Sequence, residues 1–315
     1  MSIDPVILFF LFGLTAGLLR SELKMPSAVY DLLSMLLLLT IGLKGGVELA
    51  KQPFGNLLPQ ILAVMAMGFV LPFFAYPVLR FAGRLARADA ASIAAHYGSV
   101  SVATFAVAAA WFASQDVAVE PHMALLLAVL EIPAILVGIV LARGLSAEMR
   151  LGVVAHEVFL GKGIVLLAGG LAIGWAAGAE GLASISPLFF DLFKGVLALF
   201  LLEMGLITAA QVGSLRKYGL FLVVFGIGMP LFSSLFGIAL GYLLGLSVGG
   251  TAMLATLAAS ASYIAVPAAM RISVPEANPT LSLAASLGVT FPFNVVFGIP
   301  IYYALATSAH AYFGN

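Results

Sequence analysis

The chain has no cysteine, which excludes disulfides, thiolate chemistry and the usual zinc and iron-sulfur sites. Charge is almost as scarce, with 9% of the 315 residues Asp, Glu, Lys or Arg against about 25% in a soluble domain. Neither sign prevails, since fourteen Lys and Arg meet fourteen Asp and Glu, so nothing in the composition points to nucleic acid or to a polybasic lipid anchor. Four scattered histidines, His96, His122, His156 and His310, form no i,i+4 ligand pair. What fills the chain is apolar, at 63% of its residues, and the lipid bilayer is therefore its solvent. A helical crossing takes roughly 20 apolar residues, so about ten crossings use up the chain and leave no room for an extramembrane domain.

Hydropathy, Pro, Gly and charge divide the chain into ten spans, at 4–19, 27–43, 57–80, 89–113, 121–142, 161–178, 187–209, 218–245, 249–270 and 279–307. The N-terminal segment lacks the basic start of a signal peptide, so Pro5 to Leu19 is read as the first span. With the N-terminus outside, eleven of the fourteen Lys and Arg fall in inner loops, as cytoplasmic loops require. Both termini are then expected outside and the polar linker 144–160 inside, in a bacterial inner membrane.

That linker separates two halves, 1–143 and 161–315, of five spans each. Because five is odd, halves that share a fold must lie in the membrane with opposite topology. Internal matches support such a repeat. Thr40 to Lys44 at the end of span 2 corresponds to Glu203 to Ile207 of span 7 at an offset of 163, Gly98 to Ser101 corresponds to Ala259 to Ser262 at 161, and Pro133 corresponds to Pro292 at 159. The fold class is thus an all-α integral membrane protein of ten helices in two inverted repeats.

Inverted five-span repeats place their site at mid-membrane, where helices from the two halves break and aim their ends at each other. Spans 4 and 9 are the candidates, because each combines small residues with hydroxyls at its centre. Gly98, Ser99, Ser101 and Thr104 stand in one, and Ser260, Ala261 and Ser262 in the other. A break would offer free backbone N–H groups and a positive dipole end to an anion, while hydroxyl and carbonyl oxygens can hold Na+. Small and hydroxyl residues also serve plain close packing of helices. Ionisable groups inside spans are a second clue. Glu131, ahead of Pro133, can coordinate Na+, relay a proton or cap backbone N–H groups freed by Pro133. Glu203 can do the same for the second half or pair with Lys194. Asp31 reads as a solvated cap, and His96 as an interfacial or hydrogen-bonded core histidine. In span 10 the run Thr290-Phe291-Pro292-Phe293-Asn294 reads as a Pro-broken polar point, with Thr290 and Asn294 on one face as cation ligands or interhelix bonds. Together Glu131, Ser101, Ser262, Thr290 and Asn294 form the candidate Na+ set.

The runs Ile41-Gly42-Leu43 with Gly45-Gly46, Leu201 to Gly205, Ala258 to Arg271, Pro275 to Pro279 and Ala285 to Asn294 closely resemble the sodium-dependent bicarbonate transporter family over essentially the whole chain. The resemblance implies inverted five-helix repeats, both termini outside, a homotrimer, and bicarbonate and Na+ bound between broken spans 4 and 9 at Ser99, Ser101, Thr104, Ser260, Ala261 and Ser262. Cyanobacterial members are inhibited by a PII-like trimer on the inner face; the short inner loops here match no docking motif. Val102-Ala103 stands where the family has Gly-Ser, Lys44 replaces an uncharged residue, and Glu131 replaces an Asp. The leading expectation is a secondary transporter for Na+-coupled uptake of bicarbonate by alternating access. The alternatives are coupling to another small anion such as a short carboxylate, and a passive anion channel. An intramembrane enzyme is disfavoured, because no His-Glu-x-x-His, Gly-x-Ser-x-Gly or paired catalytic Asp motif occurs.

Overall fold

The computed structural model describes residues 4–51, 55, 57–144, 156 and 159–314, so most of the linker expected at 144–160 lies outside the described residues. Those residues are helical throughout, in α1 (Pro5–Leu18), α2 (Ser27–Leu49), α3 (Leu58–Pro77), α4 (Arg87–Gly98), α5 (Val102–Ser114), α6 (Met123–Leu130), α7 (Pro133–Arg143), α8 (Lys162–Gly181), α9 (Phe193–Tyr218), α10 (Leu220–Leu243), α11 (Val248–Ala258), α12 (Ala265–Ser273) and α13 (Pro279–Phe313). Counting α4 with α5 and α6 with α7, eight helices are long and apolar enough to cross a membrane; α1 and α11 are shorter apolar helices.

Local chemistry explains the boundaries. Asp4 Oδ1 accepts the Val6 N–H at 2.9 Å ahead of Pro5, Ser247 caps α11, and the Asn278 side chain accepts the Thr280 N–H ahead of Pro279, each an N-cap that satisfies donors the helix itself cannot. Between α9 and α10 the chain reverses through the single residue Gly219, at φ +83°, a conformation that costs an L side chain but not glycine. At Pro292 the structure differs from the sequence expectation. Span 10 is not broken there: α13 runs on, and two π-turns, Ser286–Thr290 and Asn294–Gly298, flank the proline. Their wider hydrogen-bonded loops absorb the missing donor and the bulk of the ring without ending the helix. The break associated with a proline falls in span 5 instead, where Glu131 and Ile132 form a turn between α6 and α7.

Two groups of helices pack side by side. In the first, α1 lies along α9, α2 along α8, and α9 touches α2. A Cβ on Gly13 would stand 2.0 Å from the Leu202 carbonyl oxygen, one on Gly205 2.3 Å from that of Phe10, one on Gly46 2.1 Å from that of Leu171, and one on Gly174 2.2 Å from that of Leu43. Between helices whose surroundings are apolar anyway, such backbone-to-backbone approach replaces the hydrophobic effect as the source of association. The second group joins α3 to α4 and α7, and α10 to α11 and α13. At its centre lies the α4–α5 pair, 94% of whose most apolar stretch is buried, against 28% for α8. Charged side chains sit at helix ends, where Lys162 meets Asp31 at 2.7 Å and Arg143 meets Glu276 at 3.5 Å. Asp31 is thus an ion-paired end residue.

Replacing Gly46 by Ala is expected to destabilise the protein by about 1–3 kcal/mol, as overpacking against rigid backbone does, whereas Gly228→Ala, with nothing within 4 Å of its Cβ position, is expected to be neutral. Thermal unfolding of both variants in detergent checks this.

Candidate functional site

The chain unwinds twice in the buried middle of the second group. Residues 99–101 separate α4 from α5, and residues 259–264 separate α11 from α12. Ser99 and Ser101 have extended backbone, at φ −99°, ψ −170° and φ −114°, ψ 114°. Their neighbour Gly98 is held by its lack of a side chain, since a Cβ there would fall 2.4 Å from Pro72 Cγ of α3 and 2.9 Å from Ala134 Cβ of α7.

The two breaks are bonded to each other. The Ser101 N–H donates to Ser260 Oγ at 3.0 Å, and the Ser262 N–H donates to the His96 carbonyl at 2.9 Å. Unwound backbone in an apolar interior is costly unless partnered, and each break supplies partners for the other. Ser101 Oγ then caps α5, accepting the Thr104 N–H at 3.1 Å and the Thr104 hydroxyl at 2.9 Å. Because it only accepts in those two bonds, its own proton is left for a ligand or for Tyr263, whose hydroxyl lies beside it. Ser260 Oγ is fully engaged, accepting from Ser101 and donating to the Leu257 carbonyl at 2.8 Å. Ser262 Oγ accepts the Val266 N–H at 3.4 Å at the start of α12. The Ala261 side chain packs in an apolar cluster with Tyr97, Phe225 and Ala285.

Around this crossing the remaining candidates fall into two kinds. Glu131 is 3% exposed, and its Oε2 has no hydrogen-bond partner among the described residues. It adjoins the first break, because the Ser99 hydroxyl points to its carbonyl at 3.4 Å, and α7 begins at Pro133 with no side-chain cap, so the carboxylate is not spent on capping. Thr290 and Asn294, by contrast, are committed to bonds between helices. Thr290 Oγ1 donates to the Gly226 carbonyl at 2.7 Å and accepts from Tyr97 Oη at 2.6 Å. Asn294 donates to the Ala259 carbonyl at 2.9 Å and accepts from Tyr302 at 2.6 Å, which pins the end of α11 at the second break. Both braces bring α13 to the site.

Three hydroxyls absent from the sequence candidates thus belong to it, those of Tyr97, Tyr263 and Tyr302. Only Tyr263, adjacent to Ser262, had a signal in its position. Glu203 meets the Met25 backbone and lies in the other group of helices. Lys44 is also apart from the breaks, with its ammonium 4.8 Å from the centre of the Phe193 ring and 5.6 Å from that of Phe190, a cation–π contact that gives the extra charge a place at the edge of the bundle.

Two half-helix N-termini, those of α5 and α12, start at this crossing, with first-turn N–H groups that have no intrahelical acceptor. Beside them stand hydroxyl oxygens and one buried carboxylate. The donors suit a small anion and the oxygens a hard cation.

Comparison with curated proteins gives no match. The family model described as the Na+-dependent bicarbonate transporter superfamily matches residues 5–307. The chain, an all-helical protein with its polar groups gathered at two facing helix breaks, belongs to that superfamily and is a transporter rather than an enzyme.

Proposed function

We propose that the chain carries bicarbonate inward by symport with Na+ through alternating access, and that the paired breaks are where both are held. The observation that carries this reading is the crossing itself: two helix breaks bonded to one another, with a buried, partnerless carboxylate alongside.

Magnitudes decide that a cation is needed. Burying an anion costs several kcal/mol, whereas a helix N-terminus returns about 0.3–1 kcal/mol and at most about 2. The Lys and Arg of the broken helices stand at their ends, as Arg87, Arg143 and Arg271 do. Na+ is the remaining positive charge. Glu131 and the hydroxyls of Ser101 and Ser262 supply oxygen ligands for it, while the α5 and α12 N-termini with Ser99, Ser101 and Thr104 face the anion. Thr290 and Asn294 serve this site by bracing it, and Ser260 by tying the breaks together. Inward Na+ flow supplies the work, at about 2.3 kcal/mol per charge per 100 mV.

The arrangement of the whole chain fits ten crossings in two inverted repeats, 1–143 and 161–315. Helix contacts recur when the halves are exchanged: α1 with α9 and α8 with α2, α3 with α4 and α10 with α11, α4 with α7 and α11 with α13. The close-approach glycines repeat too, since Gly13 and Gly174 are separated by 161 positions and Gly42 and Gly205 by 163. A bacterial inner membrane, both termini outside, a homotrimer and a PII-like cytoplasmic regulator complete the reading; the last two rest on family resemblance.

Uptake of labelled bicarbonate into proteoliposomes is expected only with an inward Na+ gradient. Glu131→Gln and Ser262→Ala are expected to raise the half-saturating Na+ concentration several-fold and to weaken the anion only through reciprocal linkage. Ser101→Ala is expected to weaken the anion at saturating Na+. If the first two variants retain uptake with unaltered Na+ dependence, these residues merely pack and cap. Accessibility reporters at Gly314 and Ala147 are expected to read outside and inside respectively; an inside C-terminus means that the crossings are not ten.

A further inference from the structure

A cavity of about 300 Å³ lies off the breaks, between α4 and α12, with Ser92, His96, Met270 and Arg271 among its lining residues. The His96 side chain is 1% exposed. Its Nδ1 stands 2.7 Å from the Ser92 carbonyl, and because a carbonyl only accepts, Nδ1 carries the proton. In the uncharged ring Nε2 is then a bare lone pair. It has no partner among the described residues, although it lines a cavity with room for one. Through its backbone carbonyl the same residue holds the Ser262 N–H of the second break, so the cavity and the breaks share a wall.

Charge at this cavity favours an anion. Arg271 stands exposed in the last turn of α12. The acidic groups nearby are occupied, Glu276 by Arg143 and Asp89 by the Asn278 N–H.

We propose that this cavity is a second anion subsite, in which His96 Nε2 accepts the hydroxyl proton of bicarbonate while Arg271 faces its negative end. This rests on the bicarbonate reading above and deepens it, because it supplies a basis for choosing among small anions. Formate is planar and of equal charge but has no O–H, and its oxygen would meet the Nε2 lone pair directly. A buried acceptor left unsatisfied rejects the analogue that cannot donate. Nitrate and chloride are rejected on the same ground.

The test is Na+-driven uptake of labelled bicarbonate in proteoliposomes, with formate as competitor, in the wild type, His96→Leu, His96→Gln and Arg271→Gln. Wild-type uptake is expected to resist formate. His96→Leu is expected to raise half-saturating bicarbonate about tenfold, the scale of one unmade buried hydrogen bond, and to let formate compete, with half-saturating Na+ unchanged. His96→Gln, whose side-chain carbonyl can accept, is expected to keep much of the discrimination. Arg271→Gln is expected to weaken bicarbonate without letting formate compete, and this variant keeps the proposal testable if His96→Leu does not assemble. Uptake in His96→Leu with unchanged discrimination, His96→Gln no better than His96→Leu, or unchanged bicarbonate affinity in Arg271→Gln would each overturn the subsite while leaving the transport reading standing. Absence of Na+-dependent uptake in the wild type would overturn both.

Discussion

A polypeptide inside a bilayer has no water to satisfy its backbone, and that constraint governs this structure more than any other. Unwinding a helix at depth frees N–H and C=O groups that cost several kcal/mol each when left alone. Here two unwound segments are placed so that each answers the other, through Ser101 to Ser260 and Ser262 to His96. A single break would be a defect, whereas a crossed pair is stable and still leaves two helix starts and several hydroxyls with capacity for a ligand. Every other polar contact in the interior, from Asn294 on the Ala259 carbonyl to Thr290 on that of Gly226, maintains the position of the crossing.

The first group of helices obeys a different economy. Its pairs α1–α9 and α2–α8 touch backbone to backbone at glycines, with few polar groups, and this gives stiffness without hydrogen bonding between side chains. The second group needs polar braces because its central helices are discontinuous. Stiff frame and braced site are the outcome of two packing solutions in one chain, one based on the absence of side chains and the other on hydroxyls and amides.

Much of this can be read from residue order, and the exceptions have physical causes. The breaks are legible because Gly98 to Ser101 and Ala259 to Ser262 place small and hydroxyl residues at corresponding points of an otherwise apolar pattern. Glu131 is legible because a carboxylate in a span has few reasons to be there. Pro292 misleads, because the rule that proline ends a helix ignores the option of widening the turns on either side. Tyr97 and Tyr302 are silent in sequence: whether a phenol reaches a partner depends on which neighbour its ring faces, and Thr290 and Asn294 become their partners only once α13 is folded against α4 and α10. The glycine contacts are equally hidden, since a glycine that meets a carbonyl and one that meets nothing, such as Gly228, are spelled alike.

The π-turns of α13 fix the length of the chain in this region. A π-turn holds one residue more than the α-helical turn it replaces, so removing a residue from Ser286–Thr290 would restore regular winding and rotate everything that follows by about 100°. Asn294 would then turn away from the Ala259 carbonyl and Tyr302 from its place beneath it. A deletion here is therefore tolerable only with a compensating insertion before Asn294. Descendants of this chain can vary the side chains of α13 far more freely than they can vary its count.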